Sequence, residues 1–354
     1  MTDLYKLNAE FFKPYLSILK YFRCTGINIF DESNVFIYKF QYAKYVIFLL
    51  YIINSINHGL YVIQEVIRGI DLLDLAVDLS YCFNVIEGCL IYLHICLIKK
   101  RIKDYVMKLE KQWRSDDSLP TNIVLLKRDH LKQLHLYIFI YCSLTRVFIN
   151  GYMATPLIII LVKKYILKRD VDYVTPLKFS LPFNYQENIM LFVPCYLLDY
   201  ALGKNINLYQ IINIHNTVSM IQLRTLFAML KEDFNEIIRS KEDIDDKLKQ
   251  TIQRHSVSSE LLTELGNAFG AIFAIHIFFV SATICFYGIT ARINSRPEDF
   301  KNFLISVITT ITIYYSCKHG QLATDSVISM QSLNYFLYCI NVLKTLIINK
   351  IQDH

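Results

Sequence analysis

The chain has 354 residues, 54% of them hydrophobic and 19% charged, with a mean hydropathy of +0.32. Ten Gly and seven Pro are too few for a Gly/Pro-rich disordered chain, and 14% aromatic residues argue the same way. This balance excludes a soluble globule and predicts an all-α, polytopic membrane protein, a single bundle of transmembrane helices over residues 1–354. The net charge of +6 comes from 37 Lys and Arg against 31 acids. Those cations flank apolar stretches, which points to a bilayer as partner and away from nucleic acid.

Seven spans are expected in chain order. Tyr45 to Gln64 carries no charged side chain, and Leu72 to Ile98 is apolar apart from Asp74, Asp78 and Glu87, stopping at Lys99, Lys100 and Arg101. Leu136 to Val162 has Arg146 as its only charge, and Asn188 to Leu223, holding Pro194, Asp199 and Lys204, is longer than one crossing needs. Leu265 to Ala291 has no formal charge. Asn302 to Cys317 is short and needs snorkelling by Lys301 or Lys318. Ser326 to Leu343 begins the last span, which ends near Lys350. Spans one to four thus fall in 45–223, a cytoplasmic helical region in 224–264, and spans five to seven in 265–350.

Charge asymmetry sets the orientation. In an alternating topology, 24 Lys and Arg lie on the side of the N-terminus and 10 on the other, so the N-terminus is expected inside and the C-terminus outside. That is the inverse of a G-protein-coupled receptor, which is the alternative suggested by seven spans alone. The opening stretch MTDLYKLNAEFFKPYLSILKYF lacks the apolar core and cleavage site of a signal peptide, so the first internal span is expected to drive insertion. Between Arg224 and Glu264, apolar residues recur at Leu226, Leu230, Phe234, Ile237 and Ile238, then at Ile244, Leu248 and Ile252. This spacing predicts helices outside the bilayer, the second continuous with span five.

No catalytic chemistry is expected. The P-loop, H-E-x-x-H, G-x-S-x-G and G-x-G-x-x-G patterns are all missing from the sequence. His130 and His135 are five apart, on different helix faces, and most cysteines, among them Cys82, Cys142 and Cys285, lie in apolar stretches without C-x-x-C spacing. No metal, cofactor or disulfide framework follows from them. The intramembrane charges are expected to face the bundle interior; in one reading Asp74 and Asp199 sit at the membrane interface and Asp78 or Glu87 pairs with Arg146, in the other they line a hydrated cavity. Rings and small polar groups cluster in the halves of the spans expected to lie outermost: Tyr81, Phe83, Phe148, Tyr152, Met153, Phe192, Tyr196, Tyr200, Phe303, Ser306 and Thr310. They predict a cavity for a small, volatile, apolar ligand, although each residue taken alone suits lipid contact or helix packing better than ligand contact.

Two stretches resemble the insect odorant receptor family. TIQRHSVSSELLTELGNAFGAIFAIHIFFVSATICFYGI, from Thr251 to Ile289, is similar to the region where an Arg-His pair, here Arg254 and His255, ends a cytoplasmic helix and an apolar span closes on a Cys followed by Gly, here Cys285 and Gly288. YYSCKHGQLATDSVI, from Tyr314 to Ile328, resembles the family's tyrosine-cysteine-x-x-glycine-glutamine stretch, with Cys317, Gly320, Gln321 and Ser326 in place. SLNYFLYCINVLKTLIINK, from Ser332 to Lys350, resembles the final family helix. One departure is that the short A-Y and W-Y segment and the Pro-containing stretch normally found between that serine and the last helix are missing.

The resemblance implies an odorant-specific subunit of a ligand-gated, non-selective cation channel in the plasma membrane, forming a hetero-tetramer with a co-receptor subunit. It implies an odorant pocket in the outer half and a pore-lining last helix carrying Val342 and Leu346. It also implies that the shortened linker leaves the chain able to insert and bind ligand but conducting or assembling poorly.

Overall fold

The computed structural model describes residues 9–24, 27, 29, 35–69, 71–173, 175, 183, 185–205, 208–239, 244–293, 306–307, 309–311 and 313–329. Among these there is no strand. The helices are α1 (Ala9–Cys24), α2 (Val35–Arg68), α3 (Leu72–Lys111), α4 (Thr121–Leu161), α5 (Ile189–Asn205), α6 (Leu208–Arg239) and α7 (Ile244–Ile293). We label residues 313–329 α8. Of the expected last span, Ser326 to Leu343, residues 326–329 are the end of α8, and the remainder, with Val342 and the following Leu346, lies outside the described residues.

Among the described residues, three helical segments are long and apolar enough to cross a membrane: Asp74–Lys111, Thr121–Ile166 and Asp246–Thr290, with a shorter apolar stretch at Ile189–Tyr200. They coincide with expected spans two, three, five and part of four. The fourth is carried by two helices, α5 and α6. As its apolar spacing predicts, α7 runs unbroken through the charged segment into the apolar one; its 50 residues make about 75 Å of helix.

Helix ends follow from local chemistry. Gly69 closes α2 with φ +76°, a left-handed conformation that a side chain would strain, and its amide donates to the Val66 carbonyl. Beyond Pro156, α4 widens into a π turn at Val162–Ile166.

Each helix shows one face to the interior and another to its surroundings. In α3, Ile91, Ile95, Ile98, Ile102, Val106 and Leu109 recur every three or four residues and are buried, while Leu90, Leu93 and Leu97 are exposed. An exposed leucine stripe on a long apolar helix is what a lipid-facing surface requires. The pair α3 and α7 forms the most extensive helix contact, with α6 against α7 and α2 against α3. The sequence reading did not anticipate α1. Its Phe11, Phe12, Tyr15, Ile18 and Leu19 are buried in the main core against α3, α4 and α6.

A layer of ion pairs secures this end of the bundle. The Lys127 side chain is wholly buried, with Nζ 2.6 Å from Glu10 Oε2 and 2.9 Å from Asp116 Oδ1. It also donates to the Arg114 carbonyl and lies 5.2 Å from the centre of the Trp113 ring. The Lys127 hydrogen bond, helped by Arg128, holds the Asp116 carboxyl below its ordinary range. Asp233 takes Arg114 at 3.0 Å and Arg254 at 3.8 Å. Burial nevertheless pushes its carboxyl up, outweighing both guanidiniums. Lys108 on α3 pairs with Glu264 on α7.

Candidate functional site

At the end of the bundle where α3 begins and α7 ends, aromatic residues from four helices gather around two carboxylates. Asp199 of α5 is 0% exposed and Asp78 of α3 is 3% exposed. Tyr152 of α4 lies within electrostatic reach of both. Tyr81, one turn along α3 from Asp78, is within reach of Asp199, Tyr152 and Tyr287 of α7. Tyr196, one turn before Asp199, is within reach of it as well. The helical period explains the grouping: three- and four-residue separations put each carboxylate beside a ring on its own helix, and packing brings the helices together.

Hydrogen bonds fix part of the group. The Tyr196 hydroxyl donates to the Met153 carbonyl at 2.6 Å, tying α5 to α4, and Tyr200 reaches the Asn150 side chain at 3.3 Å. His58 of α2 stacks its ring edge-on to Tyr81 at 4.6 Å and sits 3.1 Å from the Asp78 carbonyl. The Tyr81 hydroxyl, beside Asn54, is buried without a partner of hydrogen-bonding geometry. Rings with polar tips among buried carboxylates can bind an aromatic or hydroxyl-bearing small molecule by stacking and one or two directed hydrogen bonds.

The structure distributes the remaining expected residues more widely. Phe83 turns to α7, 5.9 Å from both Phe279 and Phe286. Phe192 is buried with Tyr173, 5.2 Å away, and Tyr196, 5.7 Å away, in a small cluster that also holds Ile160 and Cys195. Met153 is buried. Thr310 donates to the Ser306 carbonyl at 2.7 Å, a bond within its own helix. The Phe148 side chain and Phe303 lie outside the described residues. Sequence reasoning missed Tyr287, His58 and Asn54. It also placed Asp199 at the membrane interface in one reading, whereas the helices enclose it.

One helical turn or more toward the bundle centre, Glu87 pairs with His276, where Arg146 had been one expected partner. Glu87 Oε1 is 2.5 Å from His276 Nδ1, and His276 Nε2 is 2.7 Å from Asn213 Nδ2, so the imidazole joins α3, α7 and α6. Among the described residues no group of three or more metal-ligating side chains converges.

Of the residues that carried the resemblance, Cys285 and Gly288 flank Tyr287 on α7, while the others lie earlier on α7 and along α8. His255 packs edge-on to Phe227 at 6.1 Å. Cys285 and Cys317 are exposed free thiols, and Gly288 has open space around it. A Cβ on Gly320 would touch Met220 at an ordinary 3.7 Å, which joins α8 closely to α6. Gln321 donates to Asp325 and Ser326 to the Leu322 carbonyl, each at 2.8 Å within α8.

Comparison with solved structures finds the insect olfactory receptor OR5 from Machilis hrabei, with a TM-score of 0.72 and 12% identity over 89% of this chain and 80% of that one. The same receptor in complex with eugenol matches with a TM-score of 0.72 and 12% identity, over 96% of this chain and 97% of that one. At such identity the likeness concerns the fold. No curated protein matches by sequence. A family model described as 7tm odorant receptor matches residues 71–342, well over half of the sequence, and the chain belongs to that family.

Proposed function

We propose that this chain is an odorant-specific subunit of a ligand-gated, non-selective cation channel, assembled with a co-receptor subunit in the plasma membrane. The observation that carries the ligand-binding part is the meeting of Tyr81, Tyr152 and Tyr196, from α3, α4 and α5, around Asp199. The eugenol complex of the Machilis receptor supports a ring-bearing volatile of comparable size as ligand. In this reading the tyrosine group faces the outer half of the bundle, the N-terminus is cytoplasmic and the C-terminus extracellular. Residues 45–223 hold spans one to four, 224–264 the cytoplasmic helices, and 265–350 spans five to seven, with Val342 and Leu346 on the pore helix. Ser306 and Thr310 complete the pocket from span six.

The mechanism is differential binding. The odorant stabilises one arrangement of α3, α4 and α5 over another, and only that difference in affinity can open the pore. Calcium imaging with an odour panel, in cells expressing this chain with and without a co-receptor, tests it. Responses that need both subunits support the channel. Responses through a G protein without the co-receptor overturn it. Epitope tags at the two termini check the orientation independently.

A further inference from the structure

The leucine stripe of α3 changes character where the apolar span ends. Leu90, Leu93 and Leu97 are 40%, 45% and 73% exposed, and the same helix face continues through Lys100 and Arg101 to Lys108 and Lys111. Beside it, between α3 and α7, opens a cleft of about 550 Å³ whose walls include the cations Arg101, Lys108 and Lys111, the carboxylates Asp104 and Glu264, and Asn267. On α7, Gly266 and Gly270 flank Asn267 and leave open space where side chains would stand.

The ion pairing differs sharply with depth. Beyond the span, Lys127, Arg128, Arg114 and Arg254 are matched to Glu10, Asp116 and Asp233, and Lys108 to Glu264. At the boundary, Lys99, Lys100, Arg101 and Lys103 form no ion pair among the described residues. Their one acidic neighbour in sequence is Asp104. At 1.5 Å per residue, Arg101 and Lys103 lie about 5–8 Å past Ile98, the depth of lipid headgroups. Cations left unmatched at that depth, below a stripe of exposed leucines, fit a ligand that brings an anionic head and an apolar tail together.

We propose that the α3/α7 cleft binds an anionic phospholipid, its acyl chain along Leu90, Leu93 and Leu97 and its phosphate at Lys100 and Arg101. The site rests on the membrane-spanning assignment of α3 and α7 and on neither odorant binding nor conduction. By the orientation proposed above, the lipid belongs to the cytoplasmic leaflet, where anionic lipids concentrate.

The full chain, reconstituted in phosphatidylcholine nanodiscs containing spin-labelled phosphatidylserine or spin-labelled phosphatidylcholine, provides the test. The disc is symmetric, so a wrong orientation or a silent channel leaves the measurement intact. The immobilised fraction should favour the serine lipid several-fold. Lys100→Gln with Arg101→Gln should reduce that preference by about five-fold or more, the factor expected per cation at a membrane surface. The charge-conserving exchange Lys100→Arg with Arg101→Lys should retain it, which separates a lipid site from a folding defect. Raising the salt to about 0.5 M should weaken the preference in the unaltered chain, because exposed charges are screened. Equal immobilisation of the two lipids, or a preference unchanged in the Gln variant, overturns the proposal. Displacement by inorganic phosphate at matched ionic strength also overturns it, since the site would then take the anion without the lipid.

Discussion

Glu87 and His276 meet in the bundle interior, 189 positions apart in sequence, with Oε1 2.5 Å from Nδ1 and both side chains excluded from solvent. The imidazole's other nitrogen faces Asn213, so one ring bridges three helices. Glu87 Oε2 is buried without a partner. An arrangement of this kind is expensive to break, because each deleted member strands a polar atom away from water.

His276→Ala should therefore cost about 3 kcal/mol or more, since it strands both Glu87 oxygens in a buried setting. Glu87→Gln keeps an atom able to bond the imidazole and should be milder than Glu87→Ala. Thermal unfolding of the detergent-solubilised chain, followed by size exclusion, ranks the three. Equal losses for Gln and Ala at position 87 would show that the hydrogen bond contributes little.

Much of the fold was legible because lipid imposes its own grammar. Apolar runs ended by Lys99 to Arg101, or bounded by Glu264 and Arg292, marked α3 and α7, and the spacing of Leu226, Leu230 and Phe234 marked α6. The pairing of Glu87 with His276 was not legible, since no local period connects residues on separate helices. One of the two readings misplaced Asp199 for a related reason: its sequence position near Tyr200 suits an interface, and only the packing of the neighbouring helices against α5 encloses it. The docking of α1 was overlooked although its pattern was present, with Phe11, Tyr15 and Ile18 on one face.

The ion pairs of Lys127 predict an acid transition. Asp116 has a folded pKa below its ordinary 3.8 because Lys127 and Arg128 favour the carboxylate. Its stabilisation is therefore complete above about pH 4 and is lost as the pH falls through the lower, folded value. Asp116→Asn should lower stability at neutral pH and flatten the acid end of the profile. Lys127→Met should also destabilise, leaving Glu10 and Asp116 without their shared cation. A steep change in the Asp116 contribution between pH 5 and 7 would contradict this assignment.

In the tyrosine group, the hydroxyl of Tyr196 is engaged with the Met153 carbonyl and that of Tyr81 is not engaged in hydrogen-bonding geometry. Tyr196→Phe should loosen α5 from α4, costing about 1 kcal/mol. Tyr81→Phe should leave stability nearly unchanged and alter responses to odorants that carry a hydrogen-bonding group. Dose-response curves for a phenol and its methyl ether distinguish the two variants. Identical shifts for both ligands at position 81 would remove Tyr81 from ligand contact.

If the chain is the channel subunit proposed above, its short linker before the last helix is expected to limit conduction. Between Ser326 and Ser332 only five residues intervene, whereas the family resemblance implies a longer linker. Restoring a family-like linker after Ile328 should raise odour-evoked current without changing the concentration giving half-maximal response. Current of ordinary size from the unaltered chain would refute the limit.

The last prediction uses the chain's single tryptophan as a reporter for α1. Trp113 is 6% exposed, with Phe11 at 5.5 Å, the Lys127 ammonium over its ring, and Nε1 3.4 Å from Glu10 Oε2. Two of those three neighbours, Phe11 and Glu10, belong to α1, so undocking that helix must wet the indole. Phe11→Ala removes a fully buried ring from the main core and should cost about 3–5 kcal/mol of packing at that site. Emission from Trp113 should shift to longer wavelength and become accessible to iodide. Glu10→Gln should give a smaller shift, because the ring contacts survive while the buried ammonium of Lys127 keeps only Asp116 as its acid. Unchanged emission in Phe11→Ala would mean that α1 is held elsewhere, and that its burial against α3, α4 and α6 contributes little to anchoring it.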